Sequence, residues 1–291
     1  MVSKLDILSR YYQIYLDDMG DAYFVYENKL YFLSDRILTN EEVTQYQTYL
    51  YHMKMQGYLI IRNCFGHTES EGYMLYGYEP EAYSLSTVFQ QSFQVITGEY
   101  ASLSKIKSSW CRIIDDARSA VAKYASRINH NEYYVILSYY YQGLAENIIC
   151  VINETLLRFT DERLPLGYEH ATFEDSYDVL FNPTNFIIST RVRDIAMAYQ
   201  QQCITIEVLE QWIQMNILSE LEIVYLYIRV LFPSHFFSLV LNRDISKDTL
   251  KQKMIVYYQQ IDNEKQRFRD LYQCLSKYTY IPPIYWLMSN S

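Results

Sequence analysis

The chain has 291 residues, half of them hydrophobic, enough for one large domain or two small ones around a sizeable core. Its formal net charge of -9 argues against nucleic acid as the main partner, because phosphate contacts need a basic patch and no long Lys/Arg run supplies one. Eight Gly and six Pro are too few for a loop-rich or disordered chain and favour helix.

The pattern in chain order is mixed at first and helical later. Residues 3–16 read as a short amphipathic helix. YFVY (23–26) and LYFL (30–33) are β-prone runs around Glu27-Asn28-Lys29, a hairpin signature. Thr39 with Glu42 three residues on reads as a capping box, and Val43, Tyr46, Leu50 and Met53 then recur at helical spacing, predicting a helix over 40–56 that ends at Gly57. YLIIR (58–62) and GYMLYGY (72–78) predict a second hairpin around the polar 67–71 turn, and Glu79-Pro80 breaks the pattern. Helices are predicted near 84–97, 99–127, 131–158, 191–202, 205–217, 219–230 and 246–277. On 219–230 the apolar face is Leu221, Val224, Tyr225, Ile228 and Leu231, and Phe232-Pro233 closes it because proline cannot continue the backbone bonding.

The expected class is therefore α+β. Residues 1–80 form a small antiparallel sheet with one helix, and residues 81–291 a helical part interrupted by a central segment over 168–194. Cys64, Cys111, Cys150, Cys203 and Cys274 are scattered without CxxC spacing, which predicts neither a zinc site nor a disulfide framework and fits a reducing compartment. The N-terminus has no apolar signal core, and no apolar run approaches the ~20 residues needed to span a bilayer, so synthesis in the cytoplasm is expected. The 32 Tyr either fill the core in place of Phe and Leu or form a contact surface, since Tyr joins apolar area to a polar tip.

Four stretches carry a family resemblance. They are Ser109-Trp110-Cys111-Arg112-Ile113-Ile114-Asp115, Tyr139–Asn147 (YYYQGLAEN), Asn182-Pro183-Thr184-Asn185-Phe186 followed by Arg193-Asp194-Ile195-Ala196, and Leu226–Phe237 (LYIRVLFPSHFF). In this order they resemble the endospore coat-associated YutH family, within the aminoglycoside phosphotransferase and choline kinase-like superfamily. The resemblance implies a bilobal kinase-like fold: a small antiparallel β lobe over 1–80 and a large helical lobe over 81–291. It also implies assembly into the endospore coat with other coat proteins as partners.

Phosphoryl transfer needs a backbone cradle for phosphates, a lysine on them, a base, and carboxylate and amide ligands for the metal. The turn where a cradle belongs, Glu27-Asn28-Lys29, has no glycine, and the LYFL run has no lysine. Arg36 follows nearby, but Arg does not replace Lys at such a site. By resemblance the catalytic loop is His170–Tyr177 (HATFEDSY). The base is then replaced by Thr172, the metal-binding Asn by Tyr177, and the second metal-binding Asp by Asn185. Asp175 and Asp178 are the neighbours that such a site would have to use instead. Glu169, Glu174, Asp175 and Asp178 match no specific ion loop and read as a solvated acidic stretch. His170 has no nucleophile beside it in sequence and reads as a packed residue bonded to backbone. By the same resemblance Asp194, after Arg193, is a helix-start acid that supports the loop, where a carboxylate can offset the positive end of the helix dipole. Trp110 and Arg112 read as packing residues, and His235 as structural. The expectation is a non-catalytic kinase-like scaffold of the coat with no cofactor and no metal. The alternatives are a phosphotransferase using displaced acids, and a nucleotide or ligand sensor without turnover.

Overall fold

A computed structural model describes residues 4–17, 23–27, 29–33, 38–39, 41–42, 44, 62–65, 71–78, 95–125, 132–173 and 185–288. The class is α+β, with helices and small sheets. The chain divides into two compact units, Met1–Thr97 with Gly167–Asp194, and Gly98–Leu166 with Ile195–Ser291.

The first unit opens with α1 (Lys4–Ile7), which widens into a π-type turn over Leu8–Tyr12. Gln13 then takes a left-handed conformation, φ 58°, and the helix ends there, short of the expected residue 16. Ile7, Leu8 and Ile14 pack with Phe24, Tyr31 and Leu33 of a hairpin. The hairpin is β1 (Tyr23–Tyr26) and β2 (Lys29–Leu33), antiparallel with Tyr26 opposite Lys29. Lys29 is thus the first residue of the strand, and the turn is two residues long, with Glu27 at φ 49°. Phe24 and Tyr31 are direct cross-strand partners and their rings stack at 5.5 Å, the pairing that stabilises a two-stranded face.

Strand β5 (Glu71–Tyr78) organises the sheet. It pairs antiparallel with β2 and with β3 (Leu38–Thr39) along one edge, and with β4 (Arg62–Phe65) along the other. The second hairpin therefore uses RNCF, where YLIIR was expected; residues 58–61 lie outside the described residues. The capping box is present. The Thr39 N–H donates to Glu42 Oε2 at 2.9 Å and the Glu42 N–H to Thr39 Oγ1 at 3.2 Å. Of the helix it begins, residues 41, 42 and 44 are described.

Residues 95–102 correct a helix expectation. They form strand β6 (Val95–Ser102), in a three-stranded sheet ordered β6, β7 (Arg163–His170), β8 (Phe186–Thr190). Val95, Ile96 and Thr97 are β-branched and fit a pleated surface better than a helix turn. Residues 84–94 lie outside the described residues.

In the second unit α2 (Leu103–Ala125) starts where Glu162 waits for it. Glu162 Oε1 accepts from the hydroxyls of Ser102 and Ser104 at 2.8 and 2.7 Å, and Oε2 from the Ser104 N–H at 3.0 Å. The bonds from Ser104 and Ser102 lower the Glu162 pKa, as expected for a carboxylate capping a positive helix end. The long α3 (Glu132–Arg158) packs against α2, α6 (Glu220–Leu231) and α8 (Lys247–Leu275). By length and composition α3 qualifies as a membrane-crossing helix, a property it shares with core helices of soluble proteins; it buries Leu137, Leu144, Ile148 and Ile152 against its neighbours.

Between these lie α4 (Arg193–Gln200), α5 (Ile206–Asn216) and α7 (Ser234–Leu241); α9 (Tyr285–Met288) closes the chain. Helix α6 is buried at nearly every position, the signature of a central helix, and starts on a reciprocal Ser219–Glu222 capping box. After Pro233 the chain turns by 43° into α7, a helix absent from the sequence reading. Trp110 is buried and stacks on Phe232 at 4.1 Å, within the second unit's core.

Candidate functional site

The central segment is a clamp built on β7, β8 and the start of α4. His170, the last residue of β7, is buried between Phe186, 4.7 Å between ring centres, and Phe173, edge-on at 6.0 Å. Its backbone N–H donates to Asp194 Oδ1 at 2.9 Å, and its ring Nδ1 bonds Asp194 Oδ2. Asp194, in the first turn of α4, is buried as well. The ring partner of His170 is thus a carboxylate, where sequence reasoning expected backbone.

Three further residues complete the clamp. The Asp194 N–H donates to Glu169 Oε2 at 2.7 Å. Arg193 spans two successive carbonyls, Nε to His170 O at 3.0 Å and a terminal nitrogen to Ala171 O at 2.8 Å. Gly167 lets the strand lie close to this corner; a Cβ there would meet the Cβ of Arg191 at 3.2 Å and Glu169 Oε1 at 3.3 Å. Burial first, then the adjacent Asp194 charge, pushes the Glu169 carboxyl well above the usual carboxylate range. Its Oε1 has no hydrogen-bond partner among the described residues. Glu169, read from sequence as part of a solvated acidic stretch, is instead wholly buried at the inner end of a strand.

One residue further on, Thr172 and Asn185 bond each other. Asn185 Oδ1 accepts from the Thr172 N–H and from its hydroxyl, both at 3.0 Å, and Asn185 Nδ2 donates to Thr172 O at 2.8 Å. The Ala171 N–H donates to Asn185 O at 2.6 Å. Both ends of the amide are used on one residue. Among the described residues no group of three His, Cys, Asp or Glu is placed to hold a metal ion. Glu174, Asp175, Tyr177 and Asp178 lie outside the described residues. Arg112 is exposed on α2.

Chemically, the clamp joins residues 169–172 to 185 and 193–194. The hydrogen bonds named here run to backbone and between the clamp's own side chains. These observations define an α+β chain in which a buried His–Asp pair ties the end of strand β7 to the first turn of helix α4. The chain belongs to the spore coat family described as "Spore coat putative kinase YutH", whose match covers residues 89–277, more than half of its length. No curated protein and no solved structure matches it.

Proposed function

We propose that the protein is a non-catalytic, kinase-like member of its family that acts as a structural or assembly factor of the endospore coat, through contacts with other coat proteins. The reading takes the bilobal kinase-like arrangement, with lobes over 1–80 and 81–291, from the resemblance of residues 109–237. Membership of a spore coat family supports the coat as its place. The observation that carries the non-catalytic part is the Thr172–Asn185 pair. By resemblance these positions belong to the base and to a metal-binding acid. Here they are an alcohol and an amide, hydrogen-bonded to each other. A hydroxyl takes no proton near neutral pH, and an amide lacks the charge that Mg²⁺ prefers. Exposed tyrosines (Tyr15, Tyr139, Tyr280 and Tyr285) supply the residue type favoured at protein interfaces and support a contact role.

The test combines thermal unfolding with and without ATP and Mg²⁺ with an assay of phosphate release. The expected result is no release and no shift in Tm. A Tm rise without release marks the protein as a nucleotide sensor and overturns the scaffold reading, because a ligand stabilises only by binding the native state. Release that disappears in Asp175→Asn or Asp178→Asn makes the protein an enzyme.

A further inference from the structure

A second histidine, partly buried, lies next to a partly buried carboxyl group in the helical unit, far in sequence from the clamp. Glu264, midway along α8, and His235, in the first turn of α7, approach to 4.0 Å between Oε1 and Nε2. That is too long for a hydrogen bond. The two outer atoms are sealed: Glu264 Oε2 and His235 Nδ1 are buried with no hydrogen-bond partner among the described residues. The walls are aromatic. Tyr141 and Tyr257 stand edge-on to the imidazole at 5.2 and 5.1 Å, and Tyr141 stacks on Phe236 at 4.7 Å.

An ion pair with sealed atoms persists only with close geometry and with partners for those atoms. This pair has neither. We propose that His235 and Glu264 form a neutral pair, so that folding of the helical unit moves one proton, in net terms, from His235 to Glu264. In the unfolded chain, at mildly acidic pH, the carboxyl is ionised and the imidazole protonated. In the folded unit both are uncharged. The carboxyl O–H has formed, the imidazole N–H⁺ proton has gone, and no proton is exchanged with solvent. The joint between α3, α7 and α8 then contributes stability that barely changes with pH over the window where both groups titrate in the unfolded chain.

The surroundings fit. Burial pushes Glu264 up to about 7, opposed by the nearby Tyr141 and Tyr140 hydroxyls and by the Arg267 charge. Burial brings His235 down to about 4. The groups that face the pair are few. Tyr140 and Tyr141 come from α3, with their phenols raised by burial and by Glu264. From α8 come Tyr257, Asp262, Lys265, Arg267 and Arg269. Lys265 lies over the Tyr140 ring at 5.8 Å, Arg267 is held by the Tyr199 and Gln200 carbonyls, and Arg269 by the Leu287 carbonyl. The cations are thus anchored elsewhere.

Each group alone would make stability depend on pH, with opposite signs. A carboxyl raised in the folded state gives stability that is fully present below about 4.5 and lost by about 7 as pH rises. A histidine lowered in the folded state gives stability that is present above about 6.5 and lost as pH falls toward about 4. Between these values the two slopes cancel.

Denaturant unfolding of the full chain at pH 4.5, 5.5, 6.5 and 7.5 tests this, each variant being compared with the parent. Relative to the parent, Glu264→Gln is expected to gain stability as pH rises, by up to about a hundredfold in the folding constant, and His235→Phe to gain as pH falls. Flat differences, or both signs reversed as an ion pair would give, overturn the proposal. The carboxyl carbon resonance of Glu264 in the parent protein at pH 6 reads the same point without mutation: a protonated carboxyl is expected, and an ionised one overturns it.

Discussion

His170 and Asp194 touch through two hydrogen bonds in the first unit, whereas His235 and Glu264 stand 4.0 Å apart in the second. The first pair is buried outright and the second is sealed only on its far side, yet only the first is surrounded by backbone polar groups. There the carboxylate answers a strand N–H and a ring nitrogen, while Arg193 and Glu169 serve neighbouring backbone atoms. The second pair meets aromatic faces and has orphan atoms on its far side. Burial alone therefore does not decide whether a His–carboxyl pair holds a fold together. The number of donors aimed at the carboxylate decides it, because those donors offset desolvation.

The largest effect belongs to Asp194→Ala. It leaves the His170 N–H and ring nitrogen without their acceptor, and the expected loss is about 3–5 kcal/mol in denaturant unfolding of the full chain. Asp194→Asn keeps one acceptor and should lose less. Equal losses for Ala and Asn would mean that the clamp acts by shape alone and would erase the contrast with Glu264. Arg193→Lys comes next, at about 1–2 kcal/mol, since an ammonium does not span two carbonyls as the guanidinium does. A midpoint equal to that of the parent would take Arg193 out of the clamp.

The smallest effect is expected from Glu169→Gln, under about 1 kcal/mol near pH 4.5, because the amide oxygen still accepts the Asp194 N–H. Its sign should depend on pH. The Glu169 carboxyl is raised in the folded state, so the parent's advantage is full below about 4.5 and is lost as pH rises. The variant should therefore gain on the parent between pH 5 and 8. A difference that stays constant over that range would show that Glu169 folds in its ionised form.

Local signals were legible where chemistry is local. The Thr39–Glu42 capping box, the hairpin around Glu27 and the apolar face of α6 follow from neighbours in sequence. Strand β8, Phe186–Thr190, falls inside the central segment set apart over 168–194. Strand β6 was obscured because Val95-Ile96-Thr97 precedes a long helical pattern, and only its partner β7 makes it a strand. Helix α7 is apolar nearly throughout and has no side-chain cap, so no periodicity or start signal marked it. In the candidate site, Asp194 was placed beneath the loop by resemblance, but its bond to the His170 ring joins residues 24 apart and has no local signature. Glu264 was invisible for the same reason. It sits in Asp262-Asn263-Glu264-Lys265, a run that reads as solvent-facing, and only packing turns it inward.

Strand β5 has a consequence for the order in which the chain can fold as it leaves the ribosome. Both of its edges are occupied, by β2 and β3 on one side and β4 on the other. Hairpin β1–β2 closes over a two-residue turn and can form once residue 33 has emerged. Among the described strands, β3 and β4 pair only with β5, so neither has a partner until residue 78 is released. During that interval the hydrogen-bonding edge of β2 is open to any extended chain nearby, including another nascent copy. The last strand of the sheet to be synthesised is the one that seals it, and the hazard of misassembly ends with its arrival.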